Sequence, residues 1–272
     1  MIRILKPAEL LFVSTLLFCK KILMTLNNLV EPRTIQSSDS HSLSASASSI
    51  PERDWKRRDP HTIKFAGRGE KKIKEYKVDE FRRVTEVEYL PHLEFQDEKT
   101  FRRIRKQCTH ASKNGYIDSK RKWLGALYAK QIRCHYVADV SIRWIDETLK
   151  YGLFAEEDIS AWDFIGEYTG LVRRHYPILG KMNDYCFLYP TSRYFFGKHL
   201  IDGEDGGNEI RYANHSDDPN SEVTGIFSDD LFHMILRAIK DIPPHTQITY
   251  DYGARYWKSR PRIPNATESM DH

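Results

Sequence analysis

Cysteine is scarce: Cys19, Cys108, Cys134 and Cys186 are the only four in 272 residues. No two of them stand at metal-ligand spacing, so neither a structural zinc nor a disulfide framework is expected, and no metal at all is called for. Long apolar runs are missing too. No stretch of about 20 uninterrupted apolar residues exists, which disfavours a transmembrane helix. Residues 8–18 are largely apolar and follow Arg3 and Lys6, which suits a signal-peptide core, but Lys20 and Lys21 come next without an evident cleavage site. A signal segment, a membrane-surface helix and a start that truly lies at Met24 all stay open. A glycine-rich strand-to-helix fingerprint is also lacking, which disfavours a Rossmann-type nucleotide fold.

What is present suffices for a core. Hydrophobic residues make up 40% of the chain and aromatics 12%, which excludes global disorder. The net charge of +4 hides an asymmetry: residues 51–133 hold 23 Lys/Arg against 13 Asp/Glu, whereas residues 134–257 hold 11 against 20. Such a split points to two regions with different partners. Residues 34–50 are serine-rich and of low complexity, so they cannot bury enough surface to offset chain entropy. The expected organisation is a flexible N-terminal segment over 1–50, a basic and mostly helical region over 51–133, a β-rich domain over 134–257, and a tail over 258–272.

Helical spacing appears at Phe101, Ile104 and Cys108, with Arg102, Arg103, Arg105 and Lys106 on the other faces. A second stripe is Trp123, Leu124, Leu127 and Tyr128. Basic helices of this kind touch nucleic acid or are plain solvated faces. Beyond Val137, short β-rich runs alternate with turn signals such as Asp202-Gly203, Asp217-Asp218-Pro219-Asn220 and Ser228-Asp229-Asp230, the texture of a β-dominated domain.

Four segments stand out in order: Tyr151-Gly152-Leu153-Phe154-Ala155, Gly166-Glu167-Tyr168-Thr169-Gly170, the run from Arg211 through Asn214-His215-Ser216 to Asn220, and Ile248-Thr249-Tyr250-Asp251-Tyr252-Gly253. The third is unusually rich in donors and acceptors. The fourth puts two phenols on opposite faces of a strand unless the chain bends there. On these residues alone the reading stops at a β-rich domain with a polar, aromatic-lined site.

Together the four segments resemble the SET domain of protein lysine methyltransferases, over about Asp139 to Trp257. The resemblance implies a mainly β fold of several small sheets with a C-terminal pseudoknot, and transfer of methyl from S-adenosyl-L-methionine to lysine of a basic protein, with histone tails the natural guess. By the same resemblance Tyr252 is the central catalytic phenol, Tyr185 lines the lysine tunnel, and Tyr250 occupies a position where tyrosine, rather than phenylalanine, goes with adding fewer methyl groups. Tyr151, Gly152, Leu153, Arg211, Asn214, His215, Tyr252 and Trp257 are the implied cofactor contacts. Acidic rims suited to a basic substrate are Glu156-Glu157-Asp158, Asp217-Asp218 and Asp229-Asp230. A SET-like module that binds a partner without catalysis is the alternative.

Three departures from the family pattern are visible. Lys150 stands where the first turn often has glycine, His245-Thr246 replaces a usual Gly-Glu, and Asp217 replaces a zinc-ligating cysteine, with no cysteine after Cys186. The last feature and the Tyr-Gly-x-x-Tyr-Trp ending resemble compact zinc-free SET proteins of bacteria, some of which act inside a host cell. Delivery into a host cell or its nucleus is the address that this analogy implies.

Overall fold

The computed structural model describes residues 61–176, 182–195, 198–258 and 260. The serine-rich linker, the apolar segment near residue 10 and the tail from residue 261 lie outside the described residues. The fold is mainly β. From the basic segment come β1 (Thr62–Ala66), β2 (Lys74–Lys77), α1 (Phe81–Thr85), β3 (Glu88–Tyr89), β4 (Glu94–Phe95), α2 (Glu98–Lys113), α3 (Ser119–Leu127) and α4 (Ala129–Arg133). There follow β5 (Val140–Trp144), β6 (Tyr151–Ala155), β7 (Phe164–Glu167), β8 (Leu171–Arg174), β9 (Cys186–Leu188) and β10 (His199–Asp202). The remainder is β11 (Gly206–Gly207), β12 (Asn214–His215), β13 (Ser221–Ser228), β14 (Leu231–Ala238), β15 (Gln247–Tyr250) and the single turn α5 (Ala254–Trp257).

These strands form four small sheets, of order β12-β15-β6-β5-β1-β2, β4-β8-β10-β9, β11-β3 and β13-β14-β7. The basic segment is thus not only helical. In β1, Ile63 and Phe65 point into the core while Thr62 and Lys64 are half-exposed, a period of two, and the strand runs parallel to β5. Four sheets share one main core, which includes Ile63, Phe81, Ile104, Ile142, Leu153 and Phe232.

Helix α2 starts where the Asp97 carboxylate accepts from the Thr100 N–H at 2.6 Å, a side-chain N-cap. Its inner stripe is Thr100, Ile104, Cys108 and Ala111, with Phe101 half-buried edge-on to Phe95. The stripe expected on α3 divides instead. Leu124 and Tyr128 are buried, whereas Trp123 is 63% exposed and Leu127 42%. Gly125 explains the rotation: a β-carbon there would stand 1.8 Å from the Phe227 carbonyl oxygen, so the helix lies against β13 through a face that only glycine permits. The long β13–β14 hairpin turns at Asp229 and Asp230, both at positive φ, the twist that matches paired strands. Arg133 grips the Asp229 carboxylate at 2.7 and 2.8 Å.

Candidate active site

The polar segment after Ala213 is stitched to the last strand. β12 lies parallel to β15, with Asn214 opposite Thr249 and His215 opposite Tyr250. The Asn220 amide donates to the Gln247 carbonyl at 2.7 Å and accepts from the Thr249 N–H at 2.9 Å, and the Ser221 hydroxyl donates to the Thr249 carbonyl at 2.8 Å. Asn214 reaches further and donates to the Tyr151 carbonyl at 3.0 Å. Residues sixty positions apart thereby meet around one cavity of about 610 Å3, within the roughly 300–1,000 Å3 usual for a small-molecule site.

Both phenols of Tyr-Asp-Tyr-Gly face this cavity. β15 ends at Tyr250, and the chain bends before Gly253 at φ +80°, so Tyr250 and Tyr252 are neighbours at 4.8 Å between ring centres. The Tyr252 N–H donates to His215 Nδ1 at 3.3 Å, and its hydroxyl donates to the Ala213 carbonyl at 3.2 Å. Trp257 lies 4.9 Å from the His215 ring and nearly parallel to Tyr252. Across the cavity the Tyr168 hydroxyl donates to the Tyr185 carbonyl at 2.7 Å. Arg211 is buried with its guanidinium 4.0 Å from the Tyr185 ring centre and 4.8 Å from that of Tyr212. Its Nε and Nη2 donate to the carbonyls of Gly203 and Glu204 at 2.8 and 3.3 Å.

Burial dominates the electrostatics. Removal from water pushes the hydroxyls of Tyr168, Tyr250 and Tyr252 far above the ordinary phenol value, and neighbouring phenols push Tyr250 and Tyr252 the same way. The acidic rims expected from sequence are largely occupied: Glu156 pairs with Arg143, Asp218 with Lys240, Asp229 with Arg133 and Asp230 with Arg105. The exposed carboxylates that line the cavity are Glu86, Asp184 and Glu204, of which Asp184 is paired with Arg260.

Of the expected site residues, Tyr151, Tyr185, Arg211, Asn214, His215, Tyr250, Tyr252 and Trp257 all line the cavity. Gly152 and Leu153 do not. A β-carbon on Gly152 would meet Ile145 and Gln247 at 2.6 and 2.8 Å, and Leu153 is a fully buried core residue opposite Ile248. Arg211 faces the tyrosine wall. Sequence reasoning passed over Tyr168, although it sits within one of the four segments, as well as Tyr212 and Tyr256. Nothing in the sequence pointed to Thr85 and Glu86, which reach the cavity from the end of α1. Two of the family departures keep the backbone that glycine would favour, since Lys150 and His245 both sit at φ near +60°.

Residues 150–253 match the family model of the SET domain. The fold of this part is that of a SET domain. Similar curated proteins include the H3 lysine-4 specific histone-lysine N-methyltransferase of Aspergillus oryzae, 36% identical over 118 residues, which covers 42% of this chain and 10% of that protein. The histone-lysine N-methyltransferase TRX1 of Oryza sativa is 33% identical over 120 residues, covering 42% of this chain and 11% of that one. Among solved structures, KRYPTONITE in complex with mCHH DNA, an H3(1-15) peptide and SAH is similar at 30% identity and a TM-score of 0.35, over 42% of this chain and 23% of that one. The chain spans about a tenth of the length of the H3 lysine-4 specific relatives that it matches. Fungal and plant relatives lend no support to the resemblance with bacterial proteins. Among the described residues no helix is long and apolar enough to cross a membrane.

The cavity suits a nucleoside-bearing methyl donor. The Trp257 indole N–H is buried without an acceptor in the protein, a donor that costs free energy unless a bound molecule meets it. Aromatic faces of Tyr252 and Trp257 offer electron-rich surface to a cation.

Proposed function

We propose that residues 134–257 transfer a methyl group from S-adenosyl-L-methionine to a lysine ε-amine of a basic protein, with a histone tail as the substrate of choice. The observation that carries this reading is the convergence of Tyr168, Tyr185, Tyr250 and Tyr252 with Asn214 and His215 on one cavity, inside a SET domain. Tyr151, Asn214, His215 and Trp257 would hold the cofactor, which supplies an electrophilic methyl on a sulfonium and so demands no metal.

Free lysine titrates near 10.4 and is almost wholly protonated at neutral pH, yet only the neutral amine is a nucleophile. A cavity walled by phenols disfavours the ammonium by withholding water. The phenols stay neutral, since burial pushes their pKa values up. Tyr168 and Tyr252 have each spent their proton on a backbone carbonyl, so their oxygens present lone pairs. Those lone pairs would accept from the amine N–H groups and aim the nitrogen lone pair at the reacting carbon, where alignment and close approach dominate the rate. Glu86 and Glu204 favour the approach of a basic chain.

The bacterial analogy and delivery to a host cell gain nothing from the relatives and form no part of the proposal. Its test is transfer of labelled methyl to histones and basic peptides by the parent and by Tyr252→Phe. Transfer by the parent and a fall of about 10²-fold or more in the variant, typical for loss of a positioned catalytic hydrogen bond, is expected. Cofactor binding without transfer to any basic substrate would overturn catalysis in favour of a binding module.

A further inference from the structure

Helix α2 has a second face that the SET reaction does not use. Its sixteen residues hold Lys99, Arg102, Arg103, Arg105, Lys106 and Lys113 against one carboxylate, Glu98. All six cations are exposed. Arg102 is paired with Glu98, and Arg105 stands 3.6 Å from Asp230. Lys99, Arg103, Lys106 and Lys113 have no carboxylate at ion-pair distance among the described residues. At 100° per residue, Arg102, Lys106 and Lys113 share one stripe, with Lys99 and Arg103 beside it, opposite the buried Ile104 and Cys108.

The positive surface continues beyond the helix. His199, at the start of β10, is held below its ordinary pKa first by burial and then by both Arg103 and Arg174, so the two cations flank one point. Arg174 of β8 pairs in register with His199, and Lys198 is exposed next to it. No residue of α2 lines the tyrosine cavity.

We propose that this face of α2 is a docking surface for duplex DNA, bound through its phosphates without sequence preference. A straight helix of sixteen residues is about 24 Å long, and a major groove about 12 Å wide admits such an element. Duplex DNA carries a charge about every 1.7 Å along its axis, so a row of unpaired cations gains by releasing condensed counterions. An acidic peptide would want apolar anchors, but the stripe exposes none. A single strand would want open aromatic platforms, and the exposed Tyr116 beside the helix is already stacked on Tyr194 at 5.6 Å.

The test is fluorescence anisotropy of a labelled 20-base-pair duplex with the full chain at several potassium chloride concentrations. The variants are Lys99→Gln, Arg103→Gln, Lys106→Gln and Lys113→Gln combined, and a control with Lys71→Gln, Lys72→Gln, Lys77→Gln and Lys130→Gln. Each lost phosphate contact removes about 0.9 from the slope of log affinity against log salt. The α2 variant should therefore lose up to about 3.6 in slope and bind at least about tenfold more weakly, while the control stays near the parent. An unchanged circular dichroism spectrum would show that the variant is folded. No duplex binding by the parent at low salt, equal losses in both variants, or tighter binding of a single strand or polyglutamate would each overturn the proposal.

Discussion

The guanidinium of Arg211 lies 4.0 Å from the ring centre of Tyr185 and is anchored behind it by the carbonyls of Gly203 and Glu204. Tyr185 itself is 39% exposed, so without that backing it would be free to swing. Arginine is therefore a positioning residue for the wall through which we propose lysine enters.

Arg211→Lys keeps the charge but loses the planar stack and one of two fixed donors. Peptide KM should rise about tenfold, with a smaller fall in kcat and little change in cofactor affinity. Steady-state kinetics alongside a cofactor titration separates these. An equal loss of cofactor binding would return Arg211 to the cofactor side.

We propose that Tyr250 limits how many methyl groups are added. Burial raises its hydroxyl pKa, and its ring lies 4.8 Å from Tyr252. Tyr250→Phe deletes that hydroxyl and enlarges the end of the cavity. Mass spectrometry of the product should show a shift towards di- and trimethyl-lysine; an unchanged product distribution would show that Tyr250 does not limit the count.

Gly125 should be intolerant of any side chain. Its missing β-carbon would overlap a backbone carbonyl of β13, and a backbone atom in a paired strand cannot rotate away. Gly125→Ala is expected to cost about 3 kcal/mol, the upper range for overpacking, and to lower Tm by about 6–12 °C at 2–4 °C per kcal/mol. Thermal unfolding measures this directly.

His233 and Glu167 form a buried pair at 2.7 Å. Burial lowers the histidine pKa, but the Glu167 charge and hydrogen bond outweigh it, so the net shift is upward from 6.5. A raised folded-state value means that the stabilisation is complete below the unfolded pKa of about 6.5 and is lost as pH rises through the folded value. Tm should fall between mildly acidic and alkaline pH, and His233→Gln, which can still donate to Glu167, should flatten that slope.

Much of the cavity wall was legible because its residues lie in a few segments of fixed order. Tyr185, Asn214, His215, Tyr250, Tyr252 and Trp257 could be named from their segments, and all face the cavity. The turn segment is less legible: the side-chain positions of Gly152 and Leu153 pack against Ile145, Gln247 and Ile248, and a glycine needed for a tight neighbour reads the same in sequence as one whose backbone approaches a ligand. Thr85 and Glu86 were invisible, since only tertiary packing brings α1 to the site. Strand β1 was hidden differently. Its alternation is plain at Ile63 and Phe65, but it spans five residues inside a basic stretch whose later apolar spacing suggested helices. The division of α3 into a buried and an open side was unreadable for the same reason as the Gly125 contact: the facing strand lies a hundred residues away.

The parallel pairing of β12 with β15 has a consequence for synthesis. A nascent chain that has emerged through Ala238 carries three of the four segments, and it can already form the β13–β14 hairpin. It still lacks Tyr250, Tyr252, Tyr256 and Trp257, and Asn214 and His215 have no strand beside them. Pairings between distant segments form late because loop closure must come first. The proposed methyl transfer should therefore switch on in one step with residues 239–257, and incomplete chains released by a stalled ribosome would be inert without any dedicated inhibitor.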